Sequence, residues 1–469
     1  MALHLVPPQP SDEDSVSCQG DGAEPCFNDC SSEPPRASFS CFPSSTTNVA
    51  HDFSLFRNHD GKFVNANDMA ISKVKGGDHC LSYGIVKRLP PGTRPVRLVG
   101  EGAANAVFEI KLPEQEGAGK DLRGFLLRVA KAPANNSMPA YNYFLQQKFL
   151  QKAIKPILSG HVVHQELVKL RGSGIVRELN NHLAGVNDSR KDKFKNTPLP
   201  RPMRQDTESC VLVEFKPKWL SQSPSAPQDA IRCRQCAMEL RHLVKDLSKN
   251  KAHPENKPCP LALTGSDCPL HVRSPFRMAP HLANLGDESF YREALRRVAT
   301  DAAIRDLKEQ QDTHDKLGPL HASPSDPFFP LAMTLRDCTC FAQIDKSSQS
   351  IRIRFGDFDW KDPTVKFERW RRAEEELIVG GFYTAEWIYC DDAFFRPPSL
   401  CLLEYSALAS AKRPALIRIT DSSLGAREEA VISTDDVEIH HYATDAAVLK
   451  RLLEPFKADA PDIIKSASL

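Results

Sequence analysis

The sequence lacks any hydrophobic run that could cross a membrane. None of its apolar stretches approaches the ~20 residues that a transmembrane helix requires. Its first residues, MALHLVPPQP, also lack the basic segment and the following apolar segment of a secretory signal peptide. We therefore expect neither membrane insertion nor secretion, and we expect the fourteen cysteines to be free thiols rather than a disulfide framework.

An excess of charge of either sign is also absent. The chain has 61 lysine and arginine residues against 60 aspartate and glutamate residues. Because a long polyanion is attracted by an extended positive field, this balance gives no reason to expect a nucleic-acid partner. Local groups of basic residues can still bind a small and highly charged ligand.

A second cysteine pair that would complete a zinc site is not evident. The one CxxC pair is Cys233 and Cys236, and no other pair has suitable spacing, since Cys259 and Cys268 stand nine residues apart. We therefore expect Cys233 and Cys236 to form a buried helical pair of thiols rather than a metal site.

What the chain does have is the composition of a globular protein, with 41% hydrophobic and 26% charged residues. Its 469 residues predict two packed lobes with unstructured additions. Residues 1 to about 48, rich in Pro, Ser, Asp and Cys, predict a disordered tail. Apolar spacing predicts helices over 141–158, 228–248, 287–312 and 366–380, and it predicts a two-strand hairpin from AMTLRDCTCFAQI and IRIRFGDFDW.

Two consecutive segments in the first half of the chain suggest a nucleotide site. In GEGAANAVF, Gly100 and Gly102 allow a tight bend through which backbone N–H groups can approach a phosphate, although a plain hairpin turn also explains them. The strand FLLRVAK then carries Arg128 and Lys131, where a kinase-like fold places a cation over the phosphates. Strand alternation puts these two residues on opposite faces, so the pattern alone leaves the choice between them open.

The predicted hairpin carries carboxylates at spacing that suits phosphoryl transfer. Asp337 begins one strand, and Asp357 and Asp359 end the next. In such enzymes one carboxylate accepts the proton of the attacking hydroxyl, and another, across a hairpin, holds Mg²⁺ on the ATP phosphates. Aspartate in a turn is also an ordinary capping residue, so the spacing alone does not decide.

The strand CVLVEFKPKW ends in two lysines around a proline. Residues two apart in a strand face the same way, so we expect Lys216 and Lys218 to present parallel ammonium groups to one point. Pro217 fixes the backbone between them. Like charges this close repel each other unless an anion lies between them. Two solvated lysines at a strand exit are the alternative.

Seven segments in this order resemble inositol-pentakisphosphate 2-kinases, of a fungal type. They are GEGAANAV, LLRVAKA, VEFKPKW, CRQCAM, CPLAL, MTLRDCT and FGDFDWKD, and together they extend over about residues 98–385. The resemblance implies an α+β fold of two kinase-like lobes, with an antiparallel-sheet N-lobe, a larger mixed α/β C-lobe and a disordered N-terminal tail. The domains would be 1–80 (disordered or loosely ordered tail), 81–215 (N-lobe), 216–394 (C-lobe) and 395–469 (C-terminal α/β extension).

The resemblance also implies roles for individual residues. Asp337 would be the general base towards the 2-hydroxyl, and Asp357 would hold Mg²⁺ with Asp359. The implied nucleotide site, which settles the choice above in favour of Arg128, contains Gly100, Glu101, Gly102, Ala103, Asn105, Val107 and Arg128. The implied substrate site contains Lys216, Lys218, Lys361, Arg277 and Lys366. Arg336, beside Asp337, is a further candidate phosphate ligand.

The implied reaction uses ATP and Mg²⁺ to convert inositol 1,3,4,5,6-pentakisphosphate into inositol hexakisphosphate (phytate). The partners would be these small molecules, without nucleic acid or membrane, for a monomer in the nucleus and cytoplasm. The region 308–326, where plant members have a Cys/His zinc site, has no cysteine here, so we expect no zinc. Two other functions stay open: a non-catalytic sensor of inositol phosphates, and a kinase of another small phosphorylated substrate.

Overall fold

The structure is a computed structural model of the chain. It describes residues 2–5, 56–57, 63–64, 87–101, 105–114, 120–130, 143–170, 172–182, 210–245, 259–264, 293, 296–345, 347–348, 350–397, 401–403, 413–422, 432–433 and 436–467. Across this part of the chain, no helix combines the length and the hydropathy of a membrane span.

The first large sheet, called here the N-terminal sheet, has six strands in the order β4-β8-β1-β7-β6-β5. They are β1 (Ala2–Leu5), β4 (Lys87–Arg88), β5 (Arg94–Glu101), β6 (Asn105–Lys111), β7 (Phe125–Ala130) and β8 (Gln165–Lys169); β2 (Phe56–Arg57) and β3 (Phe63–Val64) pair separately. Alternation along β7 sends Phe125, Leu127 and Val129 into a core with Phe108. Arg128 therefore lies on the opposite face of β7.

The predicted tail contributes to this sheet. Strand β1 lies between β7 and β8 and is antiparallel to both, so residues 2–5 are ordered within the sheet. The rest of the predicted tail, apart from β2 and β3, lies outside the described residues.

A helical segment connects the N-terminal sheet to the next one. It consists of α1 (Tyr143–Phe149), a π-helical turn (Leu150–Ile154) and α2 (Lys155–Leu158), which confirms the predicted helix from residue 143 onwards. Its buried side chains, among them Phe149 and Ile154, pack into the core of the second sheet.

The second sheet, called the central sheet, has three antiparallel strands with β10 in the middle. They are β9 (Cys210–Phe215), β10 (Thr339–Asp345) and β11 (Ile351–Gly356). The predicted hairpin is thus confirmed for β10 and β11. The predicted N-lobe range 81–215 includes β9, but β9 pairs with β10 of the central sheet.

The described residues after β9 include the helices α3 (Arg234–Lys245), α4 (Ala302–His314), α5 (Gly318–His321), α6 (Phe328–Leu335) and α7 (Pro363–Val379). Of these, α4 and α6 pack into the core of the central sheet. The prediction that AMTLR belongs to a strand is wrong, because Phe328–Leu335 is a helix in which Phe329, Ala332 and Leu335 are fully buried. A short run that is apolar on every side carries no periodicity that separates helix from strand.

The other helix predictions hold with changed ends. Residues 228–233 form turns, and α3 begins only at Arg234. The helix predicted over 287–312 is interrupted at Asp301, whose carboxylate accepts a hydrogen bond from the N–H of Ala303 at 2.8 Å and caps α4. In the same way Asp362 caps α7, which begins at Pro363 instead of residue 366.

A third sheet, the C-terminal sheet, has five strands in the order β13-β12-β14-β16-β15. They are β12 (Trp387–Cys390), β13 (Ala393–Phe395), β14 (Ala415–Asp421), β15 (Ile432–Ser433) and β16 (Glu438–Thr444), followed by α8 (Ala446–Leu453) and α9 (Asp462–Ala467). This sheet shares a core with α3 and α7, including Leu240 and Leu377. It therefore contains residues from both sides of the predicted boundary at 394/395. Taken together, the described residues form a mixed α+β structure.

Cys233 and Cys236, expected from the sequence to be a buried helical pair of thiols, are joined by two further cysteines. The structure brings Cys259 and Cys401 to them, and the four Sγ atoms lie within 4.8 Å of one another. Sequence spacing did not show this group, because its third and fourth members are single cysteines that follow 26 and 168 residues after Cys233.

Candidate active site

Three lysine side chains meet at the carboxylate of Asp337, between α6 and β10. Lys218 Nζ lies 3.0 Å from Oδ1, and Lys361 Nζ lies 2.6 Å from Oδ2. Lys216 donates a hydrogen bond to the backbone carbonyl of Asp337 at 2.6 Å and lies 3.6 Å from Oδ1. The Asp337 side chain is still 41% exposed, so a ligand can reach it.

The lysines determine the protonation of this carboxylate. Burial would raise the pKa of Asp337, but the charges of Lys218, Lys216 and Lys361 outweigh burial and hold the pKa well below its usual range. Burial likewise would lower the pKa of Lys216, and Asp357 and Asp337 raise it above its usual value. Burial raises the pKa of the adjacent Cys338 thiol to about 12. Near neutral pH the site therefore contains an ionised Asp337, a charged Lys216 and a protonated Cys338 thiol.

The backbone of the lysine segment differs from the prediction. Strand β9 ends at Phe215, and Lys218 has a left-handed backbone with a φ of 59°. Strand alternation is therefore the wrong explanation for the convergence of Lys216 and Lys218. The backbone turns instead, and Gln311 holds the turn by donating to the carbonyl of Lys218 at 2.9 Å. Left-handed backbone at a non-glycine residue is uncommon and occurs often at functional sites.

The next residue, Trp219, anchors this turn. Its buried ring is covered by the guanidinium groups of Arg336, at 3.6 Å, and Arg234, at 4.4 Å. The suggestion that Arg336 binds a substrate phosphate is wrong, because its side chain is 3% exposed and is ion-paired with buried Asp315. Sequence reasoning missed Gln311, which carries no charge and belongs to no motif. It also assigned no role to Trp219, although Trp219 ends the segment VEFKPKW.

A second group of carboxylates lies at the end of β11. Asp357, which also has a left-handed backbone with a φ of 62°, accepts from Lys216 at 2.9 Å and from Arg128 at 3.0 Å. The same Nη2 atom of Arg128 donates to Asp359 at 2.5 Å. Asn105 donates to Asp359 at 2.9 Å. Side chains of β6 and β7 thus bind the carboxylates that follow β11, and they connect the N-terminal and central sheets at this point.

These groups fit a bound metal and nucleotide. Mg²⁺ takes carboxylate oxygens as ligands in phosphoryl-transfer sites. Asp357 and Asp359 each supply one carboxylate, and the two carboxylates lie close enough together to accept hydrogen bonds from one nitrogen atom of Arg128. Asn105 Oδ1 is buried and has no hydrogen-bond partner within the described ranges, so it can accept from a ligand. Arg128, 9% exposed, can turn from the carboxylates to phosphate oxygens.

The remaining predicted residues are placed as follows. Gly100 and Glu101 end β5, and Val107 in β6 pairs with both Gly100 and Arg128 across neighbouring strands. Lys366 lies in the first turns of α7, and its binding role stays a prediction. The predictions for Gly102, Ala103 and Arg277 fall outside the described residues.

The chain is similar in sequence to one family of proteins and to fungal proteins that carry the name of that family. A sequence model of the family described as inositol-pentakisphosphate 2-kinase matches residues 99–285 and 277–376, more than half of the chain. A protein of that name from Yarrowia lipolytica is 29% identical over 189 residues, which is 39% of this chain and 58% of the relative. Those from Eremothecium gossypii and Candida glabrata are 24% and 23% identical, each over 60% of this chain and 96% of the relative.

The match and the site agree on the class of protein. Arg128 and Lys216 form ion pairs with Asp357, next to Asp337 and its lysines, and phosphotransferases use groups of these kinds. The three relatives are all named as kinases. The chain is thus a kinase by class. It belongs to the inositol-pentakisphosphate 2-kinase family.

Proposed function

We propose that the chain transfers the γ-phosphoryl group of ATP to the 2-hydroxyl of inositol 1,3,4,5,6-pentakisphosphate and forms inositol hexakisphosphate. The observation that carries this proposal is the convergence of Lys216, Lys218 and Lys361 on Asp337. A carboxylate that acts as a base on a highly phosphorylated substrate needs cations around it, and here they stand within 4 Å.

The charge of the substrate explains the number of lysines. At about −1.5 to −2 per phosphate, the pentakisphosphate carries roughly −8 to −10 near neutral pH. In the free protein the three lysines neutralise Asp337. When substrate binds, its phosphates compete for the same ammonium groups. A site built this way concentrates positive charge locally, although the chain as a whole is nearly neutral.

The competition between Asp337 and the substrate phosphates for the lysines also changes the basicity of Asp337. In the free protein the carboxylate is a weak base, because its lysines hold the pKa well below the usual range. Once the lysines bind phosphates, the negative charge of the substrate raises the proton affinity of Asp337. The carboxylate can then accept the proton of the 2-hydroxyl as the oxygen attacks the γ-phosphorus. This proton transfer contributes about 10²–10⁴ to the rate.

The nucleotide would lie where the N-terminal and central sheets meet, in a two-lobed kinase-like arrangement. Arg128 and Asn105 bind and orient the phosphates, while Asp357 and Asp359 would hold Mg²⁺. Bound Mg²⁺ supplies neutralisation of the charge that develops on the transferred and leaving phosphates. Lys216, which contacts both Asp337 and Asp357, links the substrate and nucleotide halves of the site.

The test is phosphate transfer from γ-labelled ATP with Mg²⁺, resolved by anion exchange. Wild type should give a labelled hexakisphosphate. Asp357→Asn should give none, and the asparagine tolerates the left-handed backbone at this position, so the fold should survive. The pair Lys216→Ala/Lys218→Ala should lose activity mainly through a raised KM, whereas Lys450→Ala, which removes a partly exposed lysine of α8 paired with Asp391, should match wild type.

Two results would contradict the proposal. A folded wild type that binds the pentakisphosphate without transferring phosphate would be a sensor. A wild type that phosphorylates other small phosphates and not this one would be a kinase of different specificity. We also propose, from the family, a monomer in the nucleus and cytoplasm, without nucleic-acid or membrane partners. Analytical ultracentrifugation and imaging of a tagged chain test these points.

A further inference from the structure

Four cysteines from three separate segments, none of them assigned to the active site, come together in the structure. Cys233 immediately precedes α3, and Cys236 lies in its first turn. Cys259 precedes a short 3₁₀-helix (Pro260–Leu263), and Cys401 lies beyond β13. All four Sγ atoms are within 4.8 Å of one another.

The spacing of the sulfur atoms is that of ligands around one ion. Zinc–sulfur bonds of ~2.3 Å in a tetrahedron place the sulfurs about 3.8 Å apart. Here Cys233 and Cys259 are 3.8 Å apart, and Cys259 and Cys401 are 3.9 Å apart. A disulfide needs about 2.05 Å, so neither of these pairs is one. Apolar packing of thiols does not by itself require four sulfur atoms to surround one common point.

Three of the four cysteines are buried, and the fourth, Cys236, is partly exposed. Cys233, Cys259 and Cys401 are at most 2% exposed, and leucines, among them Leu261 and Leu402, pack around them. The backbone N–H of Cys233 donates to Cys401 Sγ at 3.1 Å, which is the kind of contact that stabilises a metal-bound thiolate. With four protein ligands, such a site is structural rather than catalytic.

We propose that Cys233, Cys236, Cys259 and Cys401 bind one structural Zn²⁺. Each thiol gives up its proton to solvent when the metal binds, and each thiolate donates one electron pair to the ion, so no oxidant or reductant takes part. The site differs from the region 308–326 considered above, and its ligands come from parts of the chain that no single motif joins.

The ion would tie the C-terminal sheet to the lysine segment. Cys401 belongs to the chain between β13 and β14, and Cys233 fixes the start of α3. The first residue of α3, Arg234, covers the ring of Trp219 and pairs with buried Glu374 at 2.6 Å. Because Trp219 follows Lys218, an ordered start of α3 supports the turn that carries the substrate lysines.

The first test is the metal content of the full chain, purified without chelator. Mass spectrometry of metals should find about one zinc per chain, and X-ray absorption should find four sulfur ligands at ~2.3 Å and no nitrogen or oxygen ligand. Replacement of the metal by Co²⁺ should give the absorption of a tetrahedral thiolate complex. These measurements use wild type, so they do not depend on whether a variant folds.

Variants then assign the ligands. Cys259→Ser and Cys401→Ser should each retain less than about a fifth of the zinc, because a site that loses one thiolate binds the ion far more weakly. The matched control is Cys390→Ser, a buried thiol of β12 outside the cluster, which should keep its zinc. A folded, reduced wild type without zinc and without Co²⁺ absorption would overturn the proposal, as would stoichiometric iron or retention of zinc in both cluster variants.

Discussion

Neutralising Asp337 should separate substrate binding from catalysis. In Asp337→Asn the amide occupies nearly the same volume, but the negative charge beside Lys218 and Lys361 disappears. Two unit charges about 4 Å apart interact by ~1 kcal/mol in water and ~4 kcal/mol at an effective dielectric constant of 20. Because the side chain is 41% exposed, we take a value near the lower figure.

The expected result follows from this magnitude. Removing about 1 kcal/mol of repulsion towards one substrate phosphate should tighten binding of the pentakisphosphate about fivefold. Transfer of phosphate should at the same time fall by about 10²–10⁴, since no group remains to accept the hydroxyl proton. Isothermal titration calorimetry measures the binding, and the labelled-ATP assay measures the transfer.

The control for Asp337→Asn is the same substitution at an aspartate of α4. Asp306→Asn removes a carboxylate from α4 that is 52% exposed, and it should change neither quantity. If folded Asp337→Asn bound the substrate about tenfold more weakly, Asp337 would act by ordering the lysines. If it retained phosphate transfer, Asp337 would not be the base. Either result would refute the reasoning.

Four further predictions follow from the contacts. Lys361→Ala should raise the KM for the pentakisphosphate about tenfold, because one charge-assisted contact is lost, with Lys450→Ala as the unaffected control in the same assay. Arg128→Lys should raise the KM for ATP, since an ammonium group cannot make the two parallel hydrogen bonds to phosphate oxygens that a guanidinium makes; steady-state kinetics with varied ATP test this. Glu374→Gln should lower the free energy of unfolding by about 3 kcal/mol, because it leaves Arg234 buried without its charge partner, whereas Glu368→Gln, 56% exposed, should change it by less than about 0.5 kcal/mol in urea denaturation. The pKa of Asp337 is lowered in the folded protein. The ionised carboxylate therefore stabilises the fold at any pH above its unfolded pKa of about 3.9, and this stabilisation is lost as the pH falls through the lower folded pKa. The acid limb of kcat/KM should therefore follow the second ionisation of substrate phosphates near pH ~6 and not a group near pH 4.

The sequence indicated which residues come together in the site, but it did not indicate the backbone conformation that brings them together. Ordered motifs indicated the lysine pair, the arginine of β7 and the aspartates after β11, and the structure brings them together. The left-handed backbone at Lys218 could not be read from strand alternation. It depends on Gln311, 93 residues away, and on Trp219 packed beneath two arginines.

Long-range contacts account for the other differences. Arg336 looks like an exposed cation beside an active-site residue, but its partner Asp315 lies 21 residues earlier on another segment and draws it into the interior. The run FFPLAMTL is a helix because the tertiary structure buries it on all sides, which removes the periodicity that distinguishes helix from strand. The cysteine cluster likewise depends on how distant segments fold together.

We propose above that this chain phosphorylates the 2-hydroxyl of the pentakisphosphate. The most direct test is ¹H and ³¹P NMR of the product formed by wild type from inositol 1,3,4,5,6-pentakisphosphate, ATP and Mg²⁺. We predict that the ring proton at carbon 2 shifts downfield and couples to a new phosphate monoester, so that every ring oxygen is phosphorylated. An unchanged pentakisphosphate, or a product with a new diphosphate group and an uncoupled proton at carbon 2, would contradict the account.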